Sequence, residues 1–554
     1  MEKVSKKVLS KCVSQELDNI GFDRKRIRER IHANSRSSKA KDISTKRILK
    51  TDEIEKIFVG SRREGIGLPY FNDLDILQIN HGITCIKDRR NIQSDDKLVF
   101  QMIQKKAPAG YTFLKLLNKE TNDCTKLEKI KYALVKRKQG KFLSSKIFMT
   151  KNDDVFKTGE GLISQNTFYK SPRGPSIPKY VKNDLIKEYL SQMNLKEEEM
   201  DFVRAFPCQA EWILRAWNER NRKHGWPSRK TIAHVMTLPT YVVPVGQKHS
   251  VNADLQWIIS FTVPETYLIQ TFNNIQTKVL TLMKLIAKYI LQPVCKDLTS
   301  YVVKTVMLWM AENIPQKKFR QKHLIARLKD ALEYLETSVE RKYLPSYMIP
   351  KRNLFTNKLQ KHQQKLVLLK LKFLIKNGLK MVRDLLYNSD THNAEVSSVR
   401  NKIYAANVLD KYETCKMALF TTKQLADYCY TMFFFSARWQ MAVYTGLFHV
   451  APFVYKYGRL GYSDPLSFDL SDVFAKQEKE EQAVLKCNTE NQLYSSQHEW
   501  KFSNCDLLML MNTNIPSLML SLAFVLPLDV FFTIFCIAIL LPYIFKERGR
   551  IFLM

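Results

Sequence analysis

At 554 residues the chain exceeds one domain by the usual size prior, and 45% apolar content with 17 Gly and 19 Pro excludes a mainly disordered protein. The 88 Lys and Arg against 54 Asp and Glu leave a net charge of +34, which favours polyanions: nucleic acid, nucleotides or an anionic membrane face. Ten scattered cysteines, with no C-x-x-C pair and no histidines at finger spacing, exclude a disulfide framework and a structural zinc site. They fit reduced thiols in the cytosol, and the Lys-rich N-terminus has no signal-peptide apolar core.

Residues 1–50 read as a basic N-terminal helix and linker. Val4, Val8, Leu9, Cys12, Val13 and Leu17 recur at helical spacing, Arg24, Lys25, Arg26, Arg28 and Arg30 follow, and the Ser/Lys stretch beyond them has no period. The arginine cluster suits a solvated face or phosphate contacts equally. From Ile54 the pattern changes to short β-like runs. Ile57 to Val59 lead into a turn, Gly60-Ser61-Arg62-Arg63-Glu64-Gly65-Ile66-Gly67, and Asp73-Leu74-Asp75 heads the apolar run Ile76, Leu77, Ile79. Residues i and i+2 of a strand share a face, so Asp73 and Asp75 offer two hard oxygen donors side by side, as Mg²⁺ prefers. Backbone N–H groups and the Ser61 hydroxyl of the turn suit a triphosphate. This is the layout of a nucleotidyltransferase. A third carboxylate is what two-metal phosphoryl chemistry wants. Asp201, at the head of the strand candidate Asp201–Phe206, is the choice, and by spacing alone Asp153, Asp154 and Glu160 compete with it.

Lys126 to Lys141 reads as a basic helix carrying Lys129, Lys136, Arg137 and Lys138. Lys179 to Met200 reads as a polar helical insertion, and Tyr241–Val245 and Trp257–Thr262 as further strands. After Pro264 the chain turns helical, with an apolar stripe from Leu268 to Leu291. From Lys351 to Arg383 ten Lys and Arg stand without an acid among Leu366, Leu369 and Phe373. This reads as a basic amphipathic helix pair, with Lys365 and Lys372 suited to a phosphate backbone or an anionic membrane surface. Tyr428–Tyr455 is an aromatic-rich helix. Ser517–Phe545 carries a single charge, Asp529, over a length that spans a hydrocarbon core, and predicts a C-terminal transmembrane helix before the basic tail 546–554. Pro527 and Asp529 weigh against that and leave a docked apolar hairpin as the rival.

Several of these stretches together resemble the Mab-21-like family, whose catalytic relatives are cyclic GMP-AMP synthase and the cGAS-like receptors. The matching pieces are Gly60-Ser61 with Asp73-x-Asp75, Gly174-Pro175, Asp201 to Cys208, Trp217 to Arg220, Arg222 to Ser228, Val242 to Gly246, Gln256 to Phe261, Leu282-Met283-Lys284, and Leu298 to Thr305. They run in order over roughly residues 50 to 390. The resemblance implies an α+β, bilobal nucleotidyltransferase core with a mixed sheet and a long N-terminal helix, plus a helical C-terminal lobe. Domain bounds follow as 1–50, the core at 51–264, the helical lobe at 265–390, a mixed extension at 391–515, the membrane segment at 516–545 and the tail.

It further implies that Asp73, Asp75 and Asp201 hold Mg²⁺ or Mn²⁺, that Gly60, Ser61, Lys284 and Ser300 meet the phosphates of ATP or GTP, and that Tyr301 stacks on a base. Two departures limit the likeness. Ile258 stands where active relatives carry an arginine, and the zinc thumb of cyclic GMP-AMP synthase is missing between Glu265 and Lys284. The expected function is a cyclic-dinucleotide synthase in innate immune signalling, facing the cytosol and anchored at a membrane, with double-stranded RNA ahead of DNA as activator. The alternative is a catalytically silent Mab-21-like scaffold that binds nucleic acid or protein at a membrane. Oligomeric state, nucleotide choice and linkage do not follow from the residues.

Overall fold

The computed structural model describes residues 6–88, 98–117, 124–150, 167–169, 172, 174–181, 195–196, 198–387, 394–419 and 421–434. Packing divides the chain into two units, Met1–Leu162 with Asn166–Asn407, and Ile163–Gln165 with Val408–Met554. In the second unit the described residues are helical apart from Thr421. Apart from the helices beyond Asn407, all that follows concerns the first.

The chain opens with helices α1 (Lys6–Leu17) and α2 (Arg24–Leu49), then β1 (Ile54–Val59), the single turn α3 (Gly60–Arg63) and β2 (Leu74–Asn80). There follow β3 (Ile83–Ile86), β4 (Leu98–Ile103), β5 (Tyr111–Leu116), α4 (Cys124–Ile130), β6 (Leu134–Arg137), β7 (Gly140–Leu143) and α5 (Ser145–Thr150). Next come β8 (Thr167–Tyr169), β9 (Ser176–Val181), β10 (Glu199–Cys208), α6 (Glu211–Asn218), α7 (Arg229–Thr237), β11 (Thr240–Val243) and β12 (Gln256–Ser260). From Thr262 the chain is helical: α8 (Thr262–Gln270), α9 (Asn274–Ile286), α10 (Ser300–Asn313), α11 (Leu324–Glu340), α12 (Lys361–Tyr387), α13 (Ala394–Leu419) and α14 (Thr422–Phe434).

Among the described residues the strands form one mixed sheet of 12, in the order β1-β2-β10-β11-β12-β5-β4-β3, with β9 beside β10 and β7 beside β5. β10 is its spine, running parallel to β2 over Met200 to Ala205 before turning to β11 at Phe206. Strands with neighbours on both sides and cover on both faces read as near-continuous apolar runs. Leu74 and Ile76 accordingly pack with Phe58 and Phe202 on one face, and Leu77 and Ile79 with Val59, Ala205 and Tyr241 on the other. Asp75 shares the second face, at the end where the apolar packing stops.

Helix α2 lies along the edge strand β1. Ser38 Oγ accepts from the Phe58 N–H at 2.9 Å and Asp42 Oδ1 from the Lys56 N–H at 2.8 Å. The stretch expected as an aperiodic linker therefore stays helical to Leu49, because its polar residues serve the open backbone of the sheet edge. In the helical part α9 is the centre: eleven of its residues are buried, and Asn273 and Gln276 close a capping box at its start.

Two further expectations are corrected. The basic stretch around Lys136 is mostly a hairpin, β6 against β7, because Gly140 with φ of 128° turns the chain back. Between Lys351 and Arg383 there is one helix, α12, after a loop tied by the Pro345–Asn353 bridge. Most of the polar insertion at 179–200, most of the aromatic stretch at 428–455 and the apolar segment 517–545 lie outside the described residues. Among the described residues no helix is long and apolar enough to cross a membrane.

Candidate active site

β1 ends at Val59, where Gly60 adopts φ of 66° and starts α3. A Cβ at Gly60 would stand 1.9 Å from Asp75 Oδ2, so only glycine lets the turn pass this close to the carboxylate. The loop then closes on itself, the Gly67 N–H donating to the Ser61 carbonyl at 2.8 Å. Helix α2 holds it from behind. Fully buried Arg30 donates from Nη1 to the Gly65 carbonyl at 2.8 Å, and Arg63 reaches the Ile31 carbonyl and Ser35 Oγ, both at 3.1 Å.

Parallel pairing sets Asp75 and Asp201 directly beside one another on β2 and β10. Ser176 on β9 donates its hydroxyl to Asp201 Oδ1 at 2.7 Å. Burial, then the neighbouring Asp201 charge, push the Asp75 carboxyl up to about 7, with Lys304 pulling the other way and Asp73 adding to the rise. Asp73 lies one residue ahead of β2 and is exposed. Among the described residues no group of three His, Cys, Asp or Glu side chains stands together as a metal site. The structure thus pairs Asp75 with Asp201 and leaves Asp73 at the strand entrance. The donor chemistry of the pair fits a hard divalent cation: two carboxylates repel each other here, and a cation would reverse the sign of that interaction.

On the other side of the loop, buried Glu64 sits between two ammonium groups. Lys284 on α9 donates to Ser61 Oγ at 3.0 Å and Glu64 Oε2 at 3.4 Å, and Lys304 on α10 pairs with the other Glu64 oxygen. Burial alone would raise Glu64, but the two lysines outweigh it and its carboxyl is held below the usual range. Burial likewise lowers Lys284, while Glu64 and Glu265 keep Lys304 charged despite burial. Glu64 and Lys304 were not among the residues chosen from the sequence. Lys304 lies one helical turn beyond Ser300, on the same face, and that spacing is the signal that would have found it.

A cavity of about 660 Å³ is lined by Gly60, Ser61, Asp75, Lys284, Ser300 and Tyr301, with Lys304 and Ile258 beside them. The five residues expected at the nucleotide and one of the three expected at the metal, Asp75, thus share one wall system, while Asp73 and Asp201 are not part of the lining. Tyr301 donates its hydroxyl to Glu265 Oε1 at 2.9 Å, which fixes the ring at the cavity surface. The basic candidates do not converge on one element: Lys129 is on α4, Lys136, Arg137 and Lys138 on the β6–β7 hairpin, and Lys365 and Lys372 on α12, all exposed.

Residues 275–372, from α9 into α12, match the Mab-21 protein HhH/H2TH-like domain. That stretch is a Mab-21 family domain. No curated protein matches it. The Mab-21 family belongs to the nucleotidyltransferase superfamily, and the matched domain supplies Lys284, Ser300, Tyr301 and Lys304 to the cavity. The stretch Trp217 to Arg222 is structural: buried Glu312 accepts from Arg222 Nε at 3.1 Å, Arg220 Nη1 at 3.4 Å and the Tyr347 hydroxyl at 2.7 Å.

Proposed function

We propose that this protein is a metal-dependent nucleotidyltransferase of the cGAS-like receptor type, which joins ATP and/or GTP into a cyclic dinucleotide when nucleic acid activates it. The observation that carries this reading is the shared cavity, in which a glycine-serine loop, a carboxylate and two lysines from separate elements line one space. Ser61 and the loop N–H groups would take the triphosphate oxygens, and Lys284 and Lys304 would offset their charge, as cations and hydroxyls do at phosphoryl groups. Tyr301 offers an aromatic face to a base. Asp75 and Asp201, with Asp73 at the strand entrance, would hold Mg²⁺ or Mn²⁺, which when bound supplies charge neutralisation and a more acidic attacking hydroxyl.

Purified full-length protein incubated with Mg²⁺ or Mn²⁺, ATP, GTP and double-stranded RNA or DNA is expected to give a cyclic product by mass spectrometry. Asp75→Ala is expected to abolish it. No product from the unmodified chain with any ligand and metal would overturn the reading. One observation favours the second reading, a silent scaffold: Asp73 does not close a three-carboxylate group with Asp75 and Asp201. Nucleotide binding without turnover would select it.

A further inference from the structure

The cavity has a further cationic lining group besides the Glu64 lysines. It is made by Arg352, in the segment between α11 and α12, and by Tyr111 at the start of β5. The Arg352 guanidinium lies over the Tyr111 ring, 5.5 Å from its centroid. Tyr111 in turn pairs in register with Ile258 of β12, which lines the same cavity. The arginine is placed rather than loose. Its N–H donates to the Ile349 carbonyl and its carbonyl accepts from the Ser346 N–H, both at 2.8 Å. The next residue, Asn353, accepts the N–H groups of Leu344 and Phe355 at 2.9 and 3.0 Å and donates to the Lys342 carbonyl at 2.9 Å. Gly110, with φ of 82°, leaves a notch for the stem: a Cβ there would sit 2.8 Å from Arg352 Cδ. Among the described residues Arg352 forms no ion pair, so its donors are not committed to a carboxylate.

We propose that Arg352 is the base-reading residue of this cavity and selects guanine over adenine. The inference rests on the nucleotidyltransferase reading above. A guanidinium is a planar fork of donors without an acceptor, and one face of it is already used on Tyr111. Guanine presents two adjacent acceptors, O6 and N7, to such a fork, whereas adenine presents one acceptor beside a donor. The alkyl surface of Ile258 next to it adds no polar group of its own. The lysines at Ser61 and Glu64 would meanwhile take the phosphates, which leaves Arg352 free for the base edge.

The test is calorimetric binding of GTP, ATP and inorganic triphosphate to the full chain in Mg²⁺, with Arg352→Ala and Arg352→Lys. The unmodified chain is expected to prefer GTP by at least about fivefold, the low end for a bidentate arginine–guanine pair. Both variants are expected to lose that preference while keeping triphosphate affinity, which also shows that they fold. The lysine variant separates a fork from mere charge: if it keeps the preference, the assignment is wrong. It is wrong too if either variant weakens inorganic triphosphate as much as GTP, or if both nucleotides bind and their ratio does not move. If the unmodified chain binds no nucleotide and Ser61→Ala changes nothing, the nucleotidyltransferase reading fails and takes this inference with it.

Discussion

Asp75 is held where burial and a neighbouring carboxylate disfavour its charge. Its carboxyl is raised to about 7, first by burial and then by Asp201, against about 3.9 for an unperturbed Asp. A raised acid binds its proton more tightly in the folded state, so its share of stability is fully present below the unfolded value and is lost as pH rises through about 7. Asp75→Asn is therefore expected to raise the melting temperature at pH 8 and to flatten its decline between pH 5 and 8, while removing any metal-dependent turnover; calorimetry across that range checks it. Glu64 works in the opposite sense, as the counter-charge of Lys284 and Lys304. Glu64→Gln would strand two buried ammonium groups and is expected to cost about 3–5 kcal/mol in denaturant unfolding. An unchanged midpoint would show that the lysines do not depend on it. Asp75, Ser61 and Lys284 were legible because their residue types carry chemistry in a recognisable order. Glu64 was not, since one acid in a loop looks the same whether it faces water or two lysines 220 and 240 positions away, and only folding tells them apart.

Among the elements, the strands β2, β10, β11 and β12 could be read from their apolar runs to within two residues, and the helical turn after Pro264 was seen two residues late. Where the reading failed, polar side chains had backbone partners far off in sequence. Ser38 and Asp42 break the apolar period of α2 because they face the N–H groups of β1 rather than a core. Ser38→Ala leaves the buried Phe58 N–H without its acceptor and is expected to cost about 1–3 kcal/mol. The variant is also expected to associate more readily at high concentration, since an uncovered edge is a template for another strand. Light scattering and a denaturation curve read both effects. The Lys136 hairpin failed for another reason: lysines suit a helix or an exposed edge equally, and Gly140 alone carried the turn signal.

At the scale of the first unit, one lysine ties the beginning of the chain to its helical centre. Lys278 is fully buried on α9 and reaches the Ser14 carbonyl at 2.9 Å, Ser14 Oγ at 2.8 Å and Asp18 at 2.6 Å. Lys278→Met is expected to cost about 1–3 kcal/mol through the unpaired groups it leaves. Hydrogen exchange should quicken in α1 well before it does in β10. The same long ties bear on how the protein is made. A chain emerging from the ribosome folds its early parts first, yet Ser61 waits for Lys284 and Ser14 for Lys278, 223 and 264 positions downstream. Contacts of such separation are slow to form. The glycine-serine loop is therefore among the first segments synthesised and among the last to be completed, and a nascent chain that stops before Lys284 carries every atom of that loop without either of the lysines that would let it hold a triphosphate.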